Sequence, residues 1–173
     1  GDRRRRCGGS CALLAAGDRI DGLLGSVATL ISVRSGAEVA IAAALGAAAD
    51  AVAVTGLDAA VNAFGHLKAE DLGRAGLLLG GKTGPDTSEW PPLPGGATYA
   101  SELVECAANL RPAIERLLFK VAVVDDIAKG RALVAKLPDV TAVTSDGDVL
   151  SAWFAAGGVV VDPEVIGQLL NSR

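Results

Sequence analysis

The chain has 173 residues, half of them hydrophobic but only 3% aromatic, and 32 alanines supply much of the apolar count. That length suits one compact domain or two small subdomains with a real core, and the hydrophobicity excludes a disordered chain. Net charge is −4, and beyond Arg3–Arg6 the body holds 12 Lys+Arg against 20 Asp+Glu, which excludes a basic nucleic-acid surface across the whole domain; the longest apolar run, Val39 to Ala49, has 11 residues, short of the ~18 a membrane span needs.

Residues 1–21 read as a loosely ordered leader. Arg3, Arg4, Arg5 and Arg6, followed by Cys11 to Ala16, faintly resemble a signal peptide, but the apolar stretch is too short and Asp18 interrupts it. The arginine run is a solvated tail or a weak electrostatic contact for DNA phosphates. Cys7, Cys11 and Cys106 form no disulfide framework, and the C-x3-C of the first two lacks further metal ligands nearby, so a reducing cytoplasm is expected.

From residue 22 the pattern alternates between extended and helical runs. Val27 to Val33 (VATLISV) reads as a strand, bounded by Gly25 and Gly36. Glu38 to Ala49 is nearly all helix formers and apolar all round, a buried helix. Ala51 to Thr55 is a short buried strand by length and valine content. Leu57 to Lys68, with Asp58 in its first turn, reads as a helix, and Arg74 to Leu79 as a third strand.

Gly80 to Gly96 carries five glycines and four prolines, so neither a helix nor a central strand runs through it. The 80–98 segment is therefore a linker, expected to be the least ordered part of the body, between subdomains at 22–79 and 99–158. The second opens with helical segments around Ser101 to Ala108 and Pro112 to Leu118. A strand (Lys120 to Val124), a helix (Ile127 to Leu137) and a strand (Val140 to Ser145) follow. Asp146-Gly147 makes a turn, and an extended run from Val149 to Phe154 leads to Gly157-Gly158. The tail, 159–173, holds one short helical stretch, Glu164 to Leu170. The fold class is mixed α/β (α+β), with two small subdomains joined by a Gly/Pro-rich loop.

Gly76 to Thr83 satisfies G-x-x-x-x-G-K-[ST], and Val121 to Asp125 could pass as the strand and acid that hold Mg²⁺. The context argues otherwise. Leu77 to Leu79 suit a buried strand, and Gly84-Pro85 prevent a helix from starting where the motif needs its N-terminus. A nucleotide-binding protein using Lys82, Thr83 and Asp125 is the alternative reading. His66 suits a helix C-terminus, and Asp125-Asp126 suit a helix N-terminus better than a catalytic pair.

The order of segments resembles the hinge domain of SMC (structural maintenance of chromosomes) proteins of bacterial type. The first half of that resemblance lies in Leu30-Ile-Ser-Val33, Gly36-Ala-Glu38, Ala40-Ile41, Ala44-Leu45-Gly46, Ala51 to Val54, Leu67-Lys68 and Gly73-Arg74-Ala75. The second lies in Leu117-Leu118, Val121 to Asp126, Ala132, Val143 to Asp148 and Gly157-Gly158. It spans about residues 22–158, broken at 80–98. Two features depart from the family: Ala152-Trp153-Phe154 stands where many members carry another glycine pair, and no sustained heptads flank the domain.

The resemblance implies a non-enzymatic homodimerisation hinge, without cofactor or metal, serving chromosome condensation and segregation near the nucleoid. Gly157 and Gly158, beside Trp153 and Gly147, are then the expected dimer contact, because a strand ending in glycine lets a second backbone approach closely. Any ATPase heads, and kleisin-type partners bound to them, would belong to a full-length parent.

Overall fold

Two parallel strand–helix–strand units, one from each half of the chain, organise a computed structural model that describes residues 2–159, with side chains from residue 8 onward. In the first unit, β3 (Val52–Val54) lies between β1 (Leu23–Ser26), antiparallel to it, and β4 (Leu77–Leu79), parallel to it. All three β3 residues are buried, which is why Val-Ala-Val shows no alternation in sequence. The β3–β4 crossover is α4 (Leu57–Ala69), which turns Ala59, Ala60, Ala63 and Leu67 inward at helical spacing.

The second unit is β7 (Val121–Val124), α6 (Ile127–Lys136) and β8 (Thr141–Thr144). Antiparallel strands widen it on both sides, β5 (Thr98–Tyr99) beside β7, and β9 (Val149–Leu150) then β10 (Ala155–Ala156) beyond β8. The order is β10-β9-β8-β7-β5, so β10 closes one side of the sheet. A third pairing, β2 (Ile31–Val33) with β6 (Val104–Cys106), joins residues from opposite sides of the 80–98 segment. The largest core does the same, packing Val27, Ile41 and Ala53 with Ile114, Leu118 and Val143. A mixed α+β fold is thus present as expected.

Several segments differ from the sequence reading, each for a local reason. The stretch read as a loose leader carries α1 (Asp2–Ala15), kinked at Gly8, whose Leu13 is fully buried against Ile20, Val52, Ala63 and Leu67. Cys11 is disulfide-bonded, against the expectation of reduced cysteines, and Cys106 is free. Within Val27 to Val33 only β2 is extended; α2 (Val27–Leu30) is a helical turn, where the Thr29 hydroxyl donates to the Ser26 carbonyl at 2.9 Å and the Val27 N–H donates to Ala51. The helix expected to reach Ala49 ends at Leu45 as α3 (Glu38–Leu45), because Gly46 turns to φ +56° and the chain continues as a 3-10 turn. Around Ser101 to Ala108 a 3-10 turn and β6 replace the expected helix, since pairing with β2 outweighs local preference. The second expected helix forms as α5 (Arg111–Leu117) with Pro112 in its first turn. The stretch Glu164 to Leu170 lies outside the described residues.

The 80–98 segment is held at several points. Gly80 and Gly81 donate to the Val54 and Asn109 carbonyls at 2.8 and 2.9 Å. Trp90 is buried, its ring 5.0 Å from Tyr99 and 5.5 Å from Phe119, and the Tyr99 hydroxyl donates to the Pro91 carbonyl. Trp90 is the buried aromatic that seals this segment to the sheet, with Leu93 packed against the cluster of Ala122, Val124 and Leu133, so Trp90→Ala is expected to speed proteolytic cleavage within 80–98 about tenfold or more while the sheets persist. Limited proteolysis with mass mapping of the cuts checks this; an unchanged cleavage rate would show that the backbone anchors suffice.

Candidate dimerisation edge

The sheet edge at β10 is built by a turn that pushes aromatic side chains outward. After β9, Ser151 closes a four-residue connection: its N–H and its hydroxyl both donate to the Phe154 carbonyl at 2.8 Å, and the Phe154 N–H donates back to Ser151 Oγ at 3.0 Å. Trp153 is 72% exposed and Phe154 60%, which is unusual for side chains of this size. Beside them β10 offers only alanine, both residues exposed, and a groove of about 460 Å³ runs along it, lined by Ile127, Val149, Leu150, Ala156 and Val159 among others.

The other end of β10 is fixed by polar contacts. Asp148 Oδ1 accepts from the Gly158 N–H at 3.0 Å, and Asp148 Oδ2 accepts from the Thr144 hydroxyl at 3.2 Å. Gly158 sits at φ +114°, and a Cβ at Gly157 would collide with the Asp148 carboxylate. Gly147, at φ +92° in the β8–β9 turn, lies against α3 of its own chain; a Cβ there would be 3.1 Å from Val39 Cγ1. Of the residues singled out in the sequence, Trp153, Gly157 and Gly158 therefore share one hairpin, while Gly147 lies at the turn that faces α3. Arg3 to Arg6 fall in α1, and their side chains lie outside the described residues. Phe154 and Asp148 escaped notice as site residues; a Trp-Phe pair directly before a run of small residues is the signal for the first.

The nucleotide-binding alternative has no support in the geometry. Leu77 to Leu79, the would-be phosphate loop, are the hydrogen-bonded strand β4, and only a 3-10 turn at Thr87–Glu89 follows Thr83 before β5. Asp126 caps α6, accepting from the Lys129 N–H at 2.8 Å, and the exposed Asp125 pairs with Lys129 Nζ at 2.7 Å. That hydrogen bond raises the Lys129 pKa above the ordinary lysine value. Both acids thus serve a helix N-terminus. Burial pushes the Cys106 thiol up, the direction of an unreactive cysteine. Among the described residues no group of His, Cys, Asp and Glu could hold a metal ion, and no helix is long and apolar enough to cross a membrane.

Residues 20–134 match the family described as SMC proteins Flexible Hinge Domain. The chain belongs to the SMC hinge family. It is 47% identical over 144 residues to the chromosome partition protein Smc of Mycolicibacterium paratuberculosis and 46% over 140 to that of Mycobacterium tuberculosis, in each case across 79% of this chain. It spans only 11% and 12% of those relatives' own lengths. The SMC hinge of Geobacillus stearothermophilus, crystallised as an asymmetric dimer, superposes with a TM-score of 0.74 at 31% identity, covering 95% of this chain and 70% of that one. The Pyrococcus furiosus hinge superposes at 0.69 with 25% identity, covering 94% and 90%.

Proposed function

We propose that this hinge forms a homodimer through the β10 edge and that in a longer parent it joins two arms of a chromosome-partitioning protein. The observation that carries the reading is an open strand edge of two exposed alanines, followed by Gly157-Gly158 and flanked by exposed Trp153 and Phe154. A strand with free N–H and C=O groups pairs readily with another chain, and glycine and alanine allow close approach. Aromatic side chains beside such an edge supply the apolar anchor that an interface needs. The dimeric crystal form of the Geobacillus hinge supports the same reading. Gly147 would lie at the periphery of this contact. Molar mass in solution tests it: a twofold mass at tens of micromolar is expected, and a monomer there would overturn it.

DNA is a secondary partner on this reading, held by Arg3 to Arg6 alone, since the remaining body is acidic. Neutralising all four arginines is expected to flatten the dependence of log K on log salt by up to about 0.9 per lost phosphate contact. Fluorescence anisotropy at several salt concentrations measures this slope, and an unchanged slope would move the contact elsewhere. Location at the nucleoid follows from the same partner. ATP hydrolysis and kleisin-type contacts belong to heads of the parent protein.

A further inference from the structure

The hairpin that ends in Gly157-Gly158 contains one carboxylate that holds three strand ends together. β10 has two paired residues, both exposed alanines, so its own pairing with β9 buries little and leaves its direction weakly determined. Thr144, fully buried at the end of β8, donates its N–H to the Asp148 carbonyl at 2.9 Å, and its Oγ1 accepts from the Asp148 N–H at 3.0 Å. The same hydroxyl donates to Asp148 Oδ2, while Asp148 Oδ1 takes the Gly158 N–H just beyond β10. We infer that Asp148 is the positioning residue of the dimer edge: its carboxylate fixes β10 and the glycine pair against the buried Thr144, and Gly157 lacks a side chain because the carboxylate occupies that space. This rests on the dimer reading for its functional meaning, but the glycine requirement at 157 is set within the chain. Asp148 Cγ and Cβ would lie 3.0 and 3.1 Å from a Cβ at 157, in addition to the carboxylate collision.

The test measures the dimer dissociation constant by sedimentation velocity and the exchange rate of the Gly158 amide by NMR. It compares the native chain with Asp148→Ala, Asp148→Asn, Gly157→Ala and the double variant Asp148→Ala/Gly157→Ala. Losing hydrogen bonds to a charged acceptor is expected to weaken the dimer about tenfold or more and to speed Gly158 exchange by a similar factor in Asp148→Ala. Asp148→Asn keeps an oxygen for Gly158 and offers an N–H to Thr144 Oγ1, so it is expected to stay within about threefold of native. Gly157→Ala is expected to match Asp148→Ala alone and to add little to it, because both break the same contact. Native Gly158 exchange in Asp148→Ala would overturn the inference. So would a Gly157→Ala penalty undiminished in the Asp148→Ala background, which would place the glycine requirement in the partner. A native chain that is monomeric defeats the dimer reading instead, and the exchange measurements then still decide whether Asp148 holds β10.

Discussion

Replacing Trp153 and Phe154 together by aspartate is expected to convert the dimer into a folded monomer. Both side chains project from the Ser151 turn and contribute little to their own chain's core, so the variant should keep stability within about 0.5 kcal/mol of native. Across a two-fold axis each substitution acts twice, so the interface loses four aromatic side chains and gains four like charges. An aromatic anchor is commonly worth about 2 kcal/mol or more, so dissociation should rise at least about 100-fold even before repulsion is added. Sedimentation equilibrium gives the constant and thermal melting the stability. A dimer within tenfold of native, in a chain that melts normally, would remove these residues from the contact. The pair also makes a cleaner probe than the glycines, since a side chain at Gly157 meets Asp148 of the same chain and one at Gly158 is strained at φ +114°, before any partner is met.

Legibility in the sequence followed the range of the interactions that decide each element. β3, α4, β7, α6 and β8 were readable because a buried apolar strand and an amphipathic helix carry their periodicity locally. The Asp126 cap was readable for the same reason, an acid directly before a helical run. β6 was not, because Val104 to Cys106 become extended only by pairing with β2, some 70 residues earlier. Trp90 was hidden by its neighbours: glycine and proline mark the segment as irregular, while the burial of one indole depends on Tyr99 and Phe119. At the proposed dimer edge the glycine pair stood out, but its reason did not. Nothing in the letters reveals that Asp148 lies across the hairpin from Gly157, since that depends on the register Ala156↔Val149.

The core makes a second large effect predictable. Ile114, on α5, is fully buried in the cluster that also holds Val27, Ile41, Leu103 and Val143. The helix is clamped there by Arg111, whose guanidinium donates to the Val104 carbonyl at 2.6 Å and to that of Ser101, and pairs with Glu115 at 3.0 Å. With both neighbours held, the site cannot collapse around a lost side chain, so Ile114→Ala is expected to cost about 2–5 kcal/mol. That is a large fraction of the roughly 5–15 kcal/mol that stabilises an ordinary domain. Because the cluster draws on residues from both sides of the 80–98 segment, the loss should lower one shared transition. Urea unfolding followed by tryptophan fluorescence, from Trp90 and Trp153 together, and by far-ultraviolet circular dichroism should therefore give coincident curves in both proteins, shifted together in the variant. Two separated transitions, with only one moved by the substitution, would mean that the halves before and after that segment fold independently despite their common core.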